Sequence, residues 1–208
     1  METRLKPSGR STAARPAGAN AAADTIRKAF EENSANYARL ADQAELIARI
    51  AEEIVSRLRR GGTVRFCGNG GSASDCQHLA AELQGRFLKE RAPLAAVALT
   101  ANSSALTALG NDYGFEEIFE RQIRGLGKPA DVLIAISTSG SSRNVIRALG
   151  AAKSIGMYAV GITGRSGGAM SNCCDAILRV PSDHTPRSQE MHIGVGHAIC
   201  QVIEDAFS

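Results

Sequence analysis

The sequence is poor in residues that mark several common classes of protein. Aromatic residues make up only 4% of the 208 residues and tryptophan is absent, so an aromatic-rich binding surface is not expected. The five cysteines are an odd number without a Cys-x-x-Cys pair, which favours free thiols in a reducing compartment over a disulfide framework. No apolar run approaches transmembrane length, and none near the N-terminus is typical of a secretory signal. These absences predict a cytoplasmic protein with no membrane partner.

Neither the charge balance nor any nucleotide-binding motif indicates a nucleic-acid partner. The 24 basic and 21 acidic residues are nearly balanced, and no Lys/Arg cluster interleaves with aromatics. The Gly-x-x-x-x-Gly-Lys-Ser/Thr motif is also absent, which disfavours nucleotide hydrolysis. We therefore expect a small-molecule ligand rather than a nucleic-acid partner.

The chain divides by composition into a short tail and one domain. Residues 1–22 combine Arg, Pro, Ser and Ala without a hydrophobic segment, which predicts a disordered tail, and residues 23–208 are predicted to form a single domain. Over residues 23–60 apolar side chains recur at helical spacing, which predicts one long helix or two consecutive ones, ending at Gly61-Gly62. An apolar helical segment outside the main repeat is typical of an oligomer interface.

The remaining sequence alternates between two patterns. Short runs rich in Val, Ile and Leu predict strands at Thr63–Cys67, Leu94–Leu99, Val132–Ile136, Tyr158–Ile162 and Ala176–Val180. Helical periodicity predicts helices at Ser72–Leu83, Ser104–Leu109 with Phe115–Ile123, Arg143–Ile155 and Gln189–Phe207. This alternation predicts an α/β fold with a mostly parallel sheet covered by helices on both faces. Ligands of such sheets bind beyond the carboxyl ends of the strands.

The loop after the first strand is typical of an anion site. Gly68-Asn69-Gly70-Gly71-Ser72 leads from a strand into a helix, where glycines allow close backbone approach and the helix N-terminus offers free N–H groups. Its spacing also resembles a dinucleotide fingerprint, but the second strand ends without the Asp or Glu that would bind a ribose. The loop therefore predicts a phosphate contact.

The loop after the third strand carries five hydroxyl side chains. Ser137-Thr138-Ser139-Gly140-Ser141-Ser142 precedes a helix that begins near Arg143. Helix capping would need one hydroxyl, so capping explains only part of the pattern. Two such loops at one sheet edge favour a phosphorylated small molecule as ligand.

Two helices carry polar groups suited to acid–base or metal chemistry. His78 and Glu82 are four residues apart on the helix after the first loop, so they share a face. The C-terminal helix adds Gln189 and His197, which with the first two residues could bind a divalent metal such as zinc. The alternatives are that His78 and Glu82 form an ordinary ion pair and that His197 is a buried histidine of the hydrophobic core. Gln189 and His197 lie about 12 Å apart along a continuous helix. Both could bind one metal only if Gln189 lies in or before the first helical turn, or if the ligands come from different subunits.

Five segments together resemble the phosphoheptose isomerases of the SIS (sugar isomerase) superfamily. They are CGNGGSASDCQHLAAELQGRF, LTALGNDYGFEEIF, DVLIAISTSGSSRNVI, GITGRSGGAM and RSQEMHIGVGHAICQVIE. The resemblance covers residues 23 to 208. It implies a flavodoxin-like three-layer sandwich with a five-stranded parallel sheet, N-terminal helices, and a homotetramer with sites between subunits. The implied reaction converts sedoheptulose 7-phosphate to D-glycero-D-manno-heptose 7-phosphate, a precursor of lipopolysaccharide core or a related glycan.

The resemblance also implies site residues. It makes Glu82 the base and His197 its acid–base partner, and it implies one zinc ion per subunit. The implied zinc ligands are His78, Glu82, Gln189 and His197. The implied substrate contacts are Asn69, Gly70, Gly71, Ser72, Glu82, Asn111, Asp112, Ser137, Thr138, Ser139, Ser142 and Gln189.

Two alternatives share the same fold. One is an isomerase acting on another phosphoketose. The other resembles the SIS-fold regulators of replication initiation, which bind an initiator protein instead of catalysing isomerisation. Those regulators lack an acid at the position of Glu82 and a histidine at the position of His197, and this chain has both.

Overall fold

The computed structural model describes residues 17–208, with side chains from residue 20 onward. The described residues fall into two compact units, one ending at Ala35 and one spanning Asn36–Ser208, which contains the whole sheet. The prediction of a single domain over residues 23–208 stays a prediction.

The N-terminal part of the described chain is helical. Helix α1 spans Ala17–Leu40, a 3-10 turn follows at Ala41–Gln43, and helix α2 spans Ala44–Arg59. The second of the two predicted arrangements, consecutive helices, is therefore the one observed. Helix α1 begins inside the tail predicted over residues 1–22, because the alanine-rich sequence from Ala17 onward suits a helix; residues 1–16 of that tail lie outside the described residues.

Five parallel strands form the sheet. They are β1 (Val64–Gly68), β2 (Ala96–Ala98), β3 (Val132–Ser137), β4 (Tyr158–Thr163) and β5 (Ala176–Arg179). Their order across the sheet is β2-β1-β3-β4-β5, and every neighbouring pair is parallel. Strand β3 is central and wholly buried, as its uninterrupted apolar sequence predicts. The predicted five-stranded parallel sheet of flavodoxin-like type is confirmed.

Helices cover both faces of the sheet. They are α3 (Gly71–Gln84), α4 (Ser103–Tyr113), α5 (Glu120–Leu126), α6 (Arg143–Ile155) and α7 (Thr185–Phe207). One core cluster joins the sheet to α2, α3 and α7, and a second joins it to α5 and α6. The predicted three-layer sandwich is therefore confirmed, and α3 and α7 pack side by side on one face.

Several predicted boundaries differ from the observed ones, and two of these differences have a clear local cause. Strand β2 begins at Ala96 rather than Leu94, because the Leu94 N–H donates to the carbonyl of Leu83 at the end of α3 instead of joining the sheet. Helix α7 begins at Thr185 rather than Gln189, with Pro186 in its first turn, where a missing N–H costs nothing.

A buried ion pair closes the amino end of the sheet, opposite the predicted site. Asp131 is 1% exposed and accepts hydrogen bonds from the backbone N–H groups of Thr63 and Lys128. The Arg65 guanidinium donates to the same carboxylate from Nε and Nη2, at 3.0 and 2.9 Å. Asp131 therefore fixes the loops that enter β1 and β3 while lying far from the carboxyl edge.

Among residues 17–208, no helix combines the length and apolar character that crossing a membrane requires.

Candidate active site

The loop after β1 brings the start of α3 against α7. Gly70 precedes the first helical residue, Gly71, and no side chain caps this helix N-terminus. A Cβ atom on Gly71 would lie 2.3 Å from Nε2 of Gln189, so only glycine lets the Gln189 side chain rest on the start of α3. The free N–H groups of the first turn of α3 and the Gln189 amide therefore meet at one place.

The hydroxyls after β3 face each other rather than capping α6. Ser142 is the residue before α6, but its side chain makes no capping hydrogen bond. Its Oγ lies 3.0 Å from Oγ of Ser137, which in turn lies 3.5 Å from Oγ of Ser139. Helix capping, the alternative explanation of this loop, is therefore not how Ser142 is used.

The two loops enclose a polar pocket at the carboxyl edge of the sheet. Its lining consists of Asn69, Ser72, Ile136, Ser137, Thr138, Ser142 and Gln189. Two helix N-termini without side-chain caps, those of α3 and α6, open onto it. Hydroxyl donors and oriented backbone N–H groups suit a phosphate dianion without any need for a lysine. Six of the seven lining residues were predicted substrate contacts.

An amide pair that the sequence does not reveal locks the two loops together. Asn69 Nδ2 donates to Asn144 Oδ1, and Asn144 Nδ2 donates to Asn69 Oδ1, both at 2.9 Å. Asn144 is 3% exposed and also accepts from the N–H of Val145. The residues are 75 positions apart, and an asparagine in the first turn of a helix carries no signal for such a partner.

A second cluster lies further along α3 and α7. Nε2 of His78 is 2.9 Å from Nε2 of His197 and 3.2 Å from Oε1 of Glu82. The helices meet closely here because residue 196 is glycine: a Cβ atom would lie 2.5 Å from the Leu79 methyl carbons. The structure thus brings together the predicted base, its predicted acid–base partner and one further imidazole.

The side chains of this cluster are partly exposed. The side chains of His78 and Glu82 are 49% and 24% exposed. The Phe87 ring covers His197 at a centroid distance of 5.4 Å. Asp75, one turn before His78, has a raised pKa because burial disfavours its charge, an effect that the nearby His78 opposes. The cluster is open on one side and shielded on the other, as a site for a small ligand requires.

The predicted metal ligand Gln189 lies apart from the cluster, and the predicted substrate contacts Asn111 and Asp112 belong neither to the cluster nor to the lining of the polar pocket. Gln189 lines the polar pocket, and His197 is eight residues further along α7, about 12 Å away on a continuous helix. Asn111 and Asp112 are exposed at the end of α4, where Asn111 Nδ2 donates to Asp112 Oδ1 at 2.8 Å. Metal ligation by Gln189 and substrate contact by Asn111 and Asp112 stay predictions.

A buried histidine on α7 makes stability depend on pH. His192 is 0% exposed, and burial lowers its pKa from 6.5 to about 4, although the Thr163 carbonyl partly offsets this. Because the folded pKa is below the unfolded one, protons favour unfolding. The contribution of His192 to stability is complete above pH 6.5 and falls as the pH drops towards 4.

We expect the free energy of unfolding to fall by about 3 kcal/mol over this pH range. Urea unfolding at several pH values should show it, and His192→Leu should flatten it; an equal pH slope in that variant would contradict the assignment.

Comparisons with known proteins show both the domain class and the family of this chain. A family model described as an SIS domain matches residues 28–164. The phosphoheptose isomerase of Rhodospirillum rubrum is 56% identical over 184 residues, covering 88% of this chain and 97% of that protein. Solved phosphoheptose isomerases from Francisella tularensis and Neisseria gonorrhoeae superpose with TM-scores of 0.86 and 0.83, at 39% and 42% identity; each covers 88% of this chain and 98% of its own. The chain therefore belongs to the phosphoheptose isomerases of the SIS-domain family.

Proposed function

We propose that the protein converts sedoheptulose 7-phosphate to D-glycero-D-manno-heptose 7-phosphate in the cytoplasm, as a step towards heptose for lipopolysaccharide core or a related glycan. The observation that carries this proposal is the His78–Glu82–His197 cluster on the same helix pair as the polar pocket. A phosphate-binding pocket alone would also serve a sensor. The added carboxylate and imidazole supply what isomerisation needs.

The reaction moves a proton between C1 and C2 of the sugar through an enediol. Glu82 takes the proton from C1 and returns it to C2, since a partly exposed carboxylate within the cluster is a suitable base. His197 moves the proton on oxygen, and its position is fixed by His78 on one side and the Phe87 ring on the other. The pocket between the two Ser/Gly loops holds the phosphate and so positions the sugar carbons.

Zinc fits the cluster by its donor set. The ligand atoms of His78, Glu82 and His197 all lie within 4.8 Å of one another, and two imidazole nitrogens with one carboxylate oxygen are typical zinc ligands. We propose one zinc ion per subunit, held by these three residues. Zinc, when bound, polarises a carbonyl oxygen, but it also weakens a carboxylate bound to it as a base. The metal is thus catalytic or structural depending on whether Glu82 stays a ligand during turnover.

Elemental analysis of protein purified without chelator tests the metal. We expect about one zinc per subunit, falling close to zero in His78→Ala because a main ligand is lost. His184→Ala is the matched control, since His184 is exposed and outside the cluster, and it should retain the metal. Full activity at sub-stoichiometric zinc would exclude a catalytic role for the ion.

We further propose that the active protein is a homotetramer with sites shared between subunits. The polar pocket begins at Ser72 and the cluster includes Glu82, about 15 Å further along α3. This distance supports a site in which one subunit binds the phosphate and a neighbour supplies the acid–base pair. Gln189 would then join a neighbouring subunit's metal. The large exposed apolar side chains of the N-terminal helix, Ile26 and Phe30, suit such an assembly.

Incubation with sedoheptulose 7-phosphate, followed by NMR of aldose formation, tests the activity. Other ketose phosphates in parallel test the alternative that the enzyme prefers another sugar. No turnover of any of them would favour the regulatory alternative, in which the fold binds a partner or only senses phosphosugar.

A further inference from the structure

A buried glutamate on α7 organises the loop between α3 and β2. Glu204 is 1% exposed, and its two carboxylate oxygens accept three consecutive backbone N–H groups. Oε1 accepts from Phe87 at 2.8 Å, and Oε2 accepts from Leu88 at 2.7 Å and Lys89 at 2.9 Å. Burial raises the pKa of Glu204, but the N–H donors outweigh it and leave the pKa below its usual range. The carboxylate is therefore ionised at neutral pH and binds the loop as an anion in a backbone nest.

The same carboxylate faces a buried arginine of the loop. Nε of Arg91 lies 3.6 Å from Oε1 of Glu204, and neither side chain is exposed by more than 1%. The Arg91 guanidinium donates to the carbonyls of Glu82 and Leu83 in the last turn of α3 and to that of Gly85 just beyond it. Arg91 therefore closes the last turn of the helix that carries Glu82.

The loop that Glu204 holds contacts both residues of the proposed acid–base pair. Phe87, whose N–H is bound by Glu204, places its ring 5.4 Å from the His197 ring. Arg91 binds the main chain of Glu82 at 2.8 Å. One buried anion is thus linked, through a single loop, to the His197 ring and to the backbone of Glu82.

We propose that Glu204 is a positioning residue for the isomerisation, which holds loop 85–91 so that Phe87 and Arg91 fix the geometry between His197 and Glu82. This inference rests on the proposed function. Its role differs from that of an ordinary core ion pair, because the loop that it holds contacts the two residues that are proposed to move protons. An error of about 1 Å in such groups can lower a rate by about 100-fold.

Glu204→Gln tests this proposal against a matched control. Glutamine keeps the size of the side chain but replaces one acceptor oxygen by an NH2 group, so at least one of the three N–H bonds is lost. Asp131→Asn makes the same change in a carboxylate that is equally buried, accepts backbone N–H groups and pairs with an arginine, at the opposite end of the sheet. We expect Glu204→Gln to lower kcat about 10-fold to 100-fold with KM within about 2-fold. Asp131→Asn should lose comparable thermal stability and keep its kcat.

A second measurement needs no substrate. The chain has only four histidines, so imidazole NMR signals of selectively labelled protein are few enough to assign by single substitutions. The signals of His78 and His197 should shift in Glu204→Gln and in Phe87→Leu, which removes the ring over His197. The His184 signal should not move in either variant, and Asp131→Asn should leave the His78 and His197 signals unchanged.

The outcomes separate the two proposals. If the wild-type protein turns over no ketose phosphate, the proposed function fails, and the imidazole signals alone decide the role of Glu204. Unchanged kcat together with unchanged His78 and His197 signals in Glu204→Gln would overturn the inference. An equal loss of kcat in Asp131→Asn would also overturn it, since general destabilisation would then be the cause. If Glu204→Gln does not fold, Phe87→Leu and Arg91→Lys take its place, with the same criteria.

Discussion

Replacing Glu82 by glutamine is expected to lower kcat for sedoheptulose 7-phosphate by about 1,000-fold while phosphosugar binding stays nearly intact. The amide has the same size as the carboxylate but cannot accept a proton from carbon. The polar pocket that we propose to bind phosphate lies about 15 Å away along α3, so its lining should not change. NMR assays of turnover and calorimetric titration of substrate measure the two quantities separately.

Ser137→Ala is the control for Glu82→Gln, because it is expected to change KM rather than kcat. Ser137 lines the polar pocket, and its hydroxyl lies 3.0 Å from that of Ser142. Removing it should chiefly raise KM, because we propose that the loop binds the phosphate equally in the ground state and the transition state. Near-normal kcat in Glu82→Gln would remove Glu82 from the base role. A fall in kcat alone in Ser137→Ala would show that the hydroxyl loop does more than hold the substrate.

The sequence predicts those parts of the fold that depend on local pattern. The apolar run of β3 and the hydroxyl loop after it are adjacent in the chain, so strand, loop and helix could be placed together. Helix α6 has the predicted bounds, Arg143–Ile155, because its apolar face is regular and Gly156 ends it in a left-handed conformation. Helix α7 begins four residues before the predicted start at Gln189, and Pro186 is the sequence signal for this earlier start, because proline is favoured in the first helical turn.

Contacts between distant segments could not be predicted in this way. Glu204 stands among apolar residues near the C-terminus, which indicates a buried acid that needs partners. Nothing in the pattern identifies those partners as the N–H groups of a loop more than 110 positions earlier. The pairing of Asn69 with Asn144 is hidden for the same reason. The position of Gln189 away from His197 was the exception, because helix geometry alone separates two residues that are eight positions apart.

Replacing His197 by glutamine is expected to lower kcat by about 100-fold or more, since in the proposed mechanism the imidazole moves a proton on oxygen that glutamine cannot take up at neutral pH. Its Nε2 lies 2.9 Å from that of His78, so the variant should also bind zinc less tightly, and elemental analysis of the same samples would report this. His192→Gln is a matched comparison on the same helix: that residue is buried away from the cluster, and its loss should change stability far more than kcat.

Combining the two active-site substitutions tests whether they act as a unit. If Glu82 takes the proton from carbon while His197 serves the oxygen of the same enediol, removing either one disables a single reaction path. The double variant Glu82→Gln/His197→Gln should then be about as slow as the slower single variant. A loss equal to the product of the two single losses would mean that the groups contribute independently. Such additivity would favour a structural or metal-binding role for His197 over acid–base chemistry, because a ligand of the ion can be lost without removing the base.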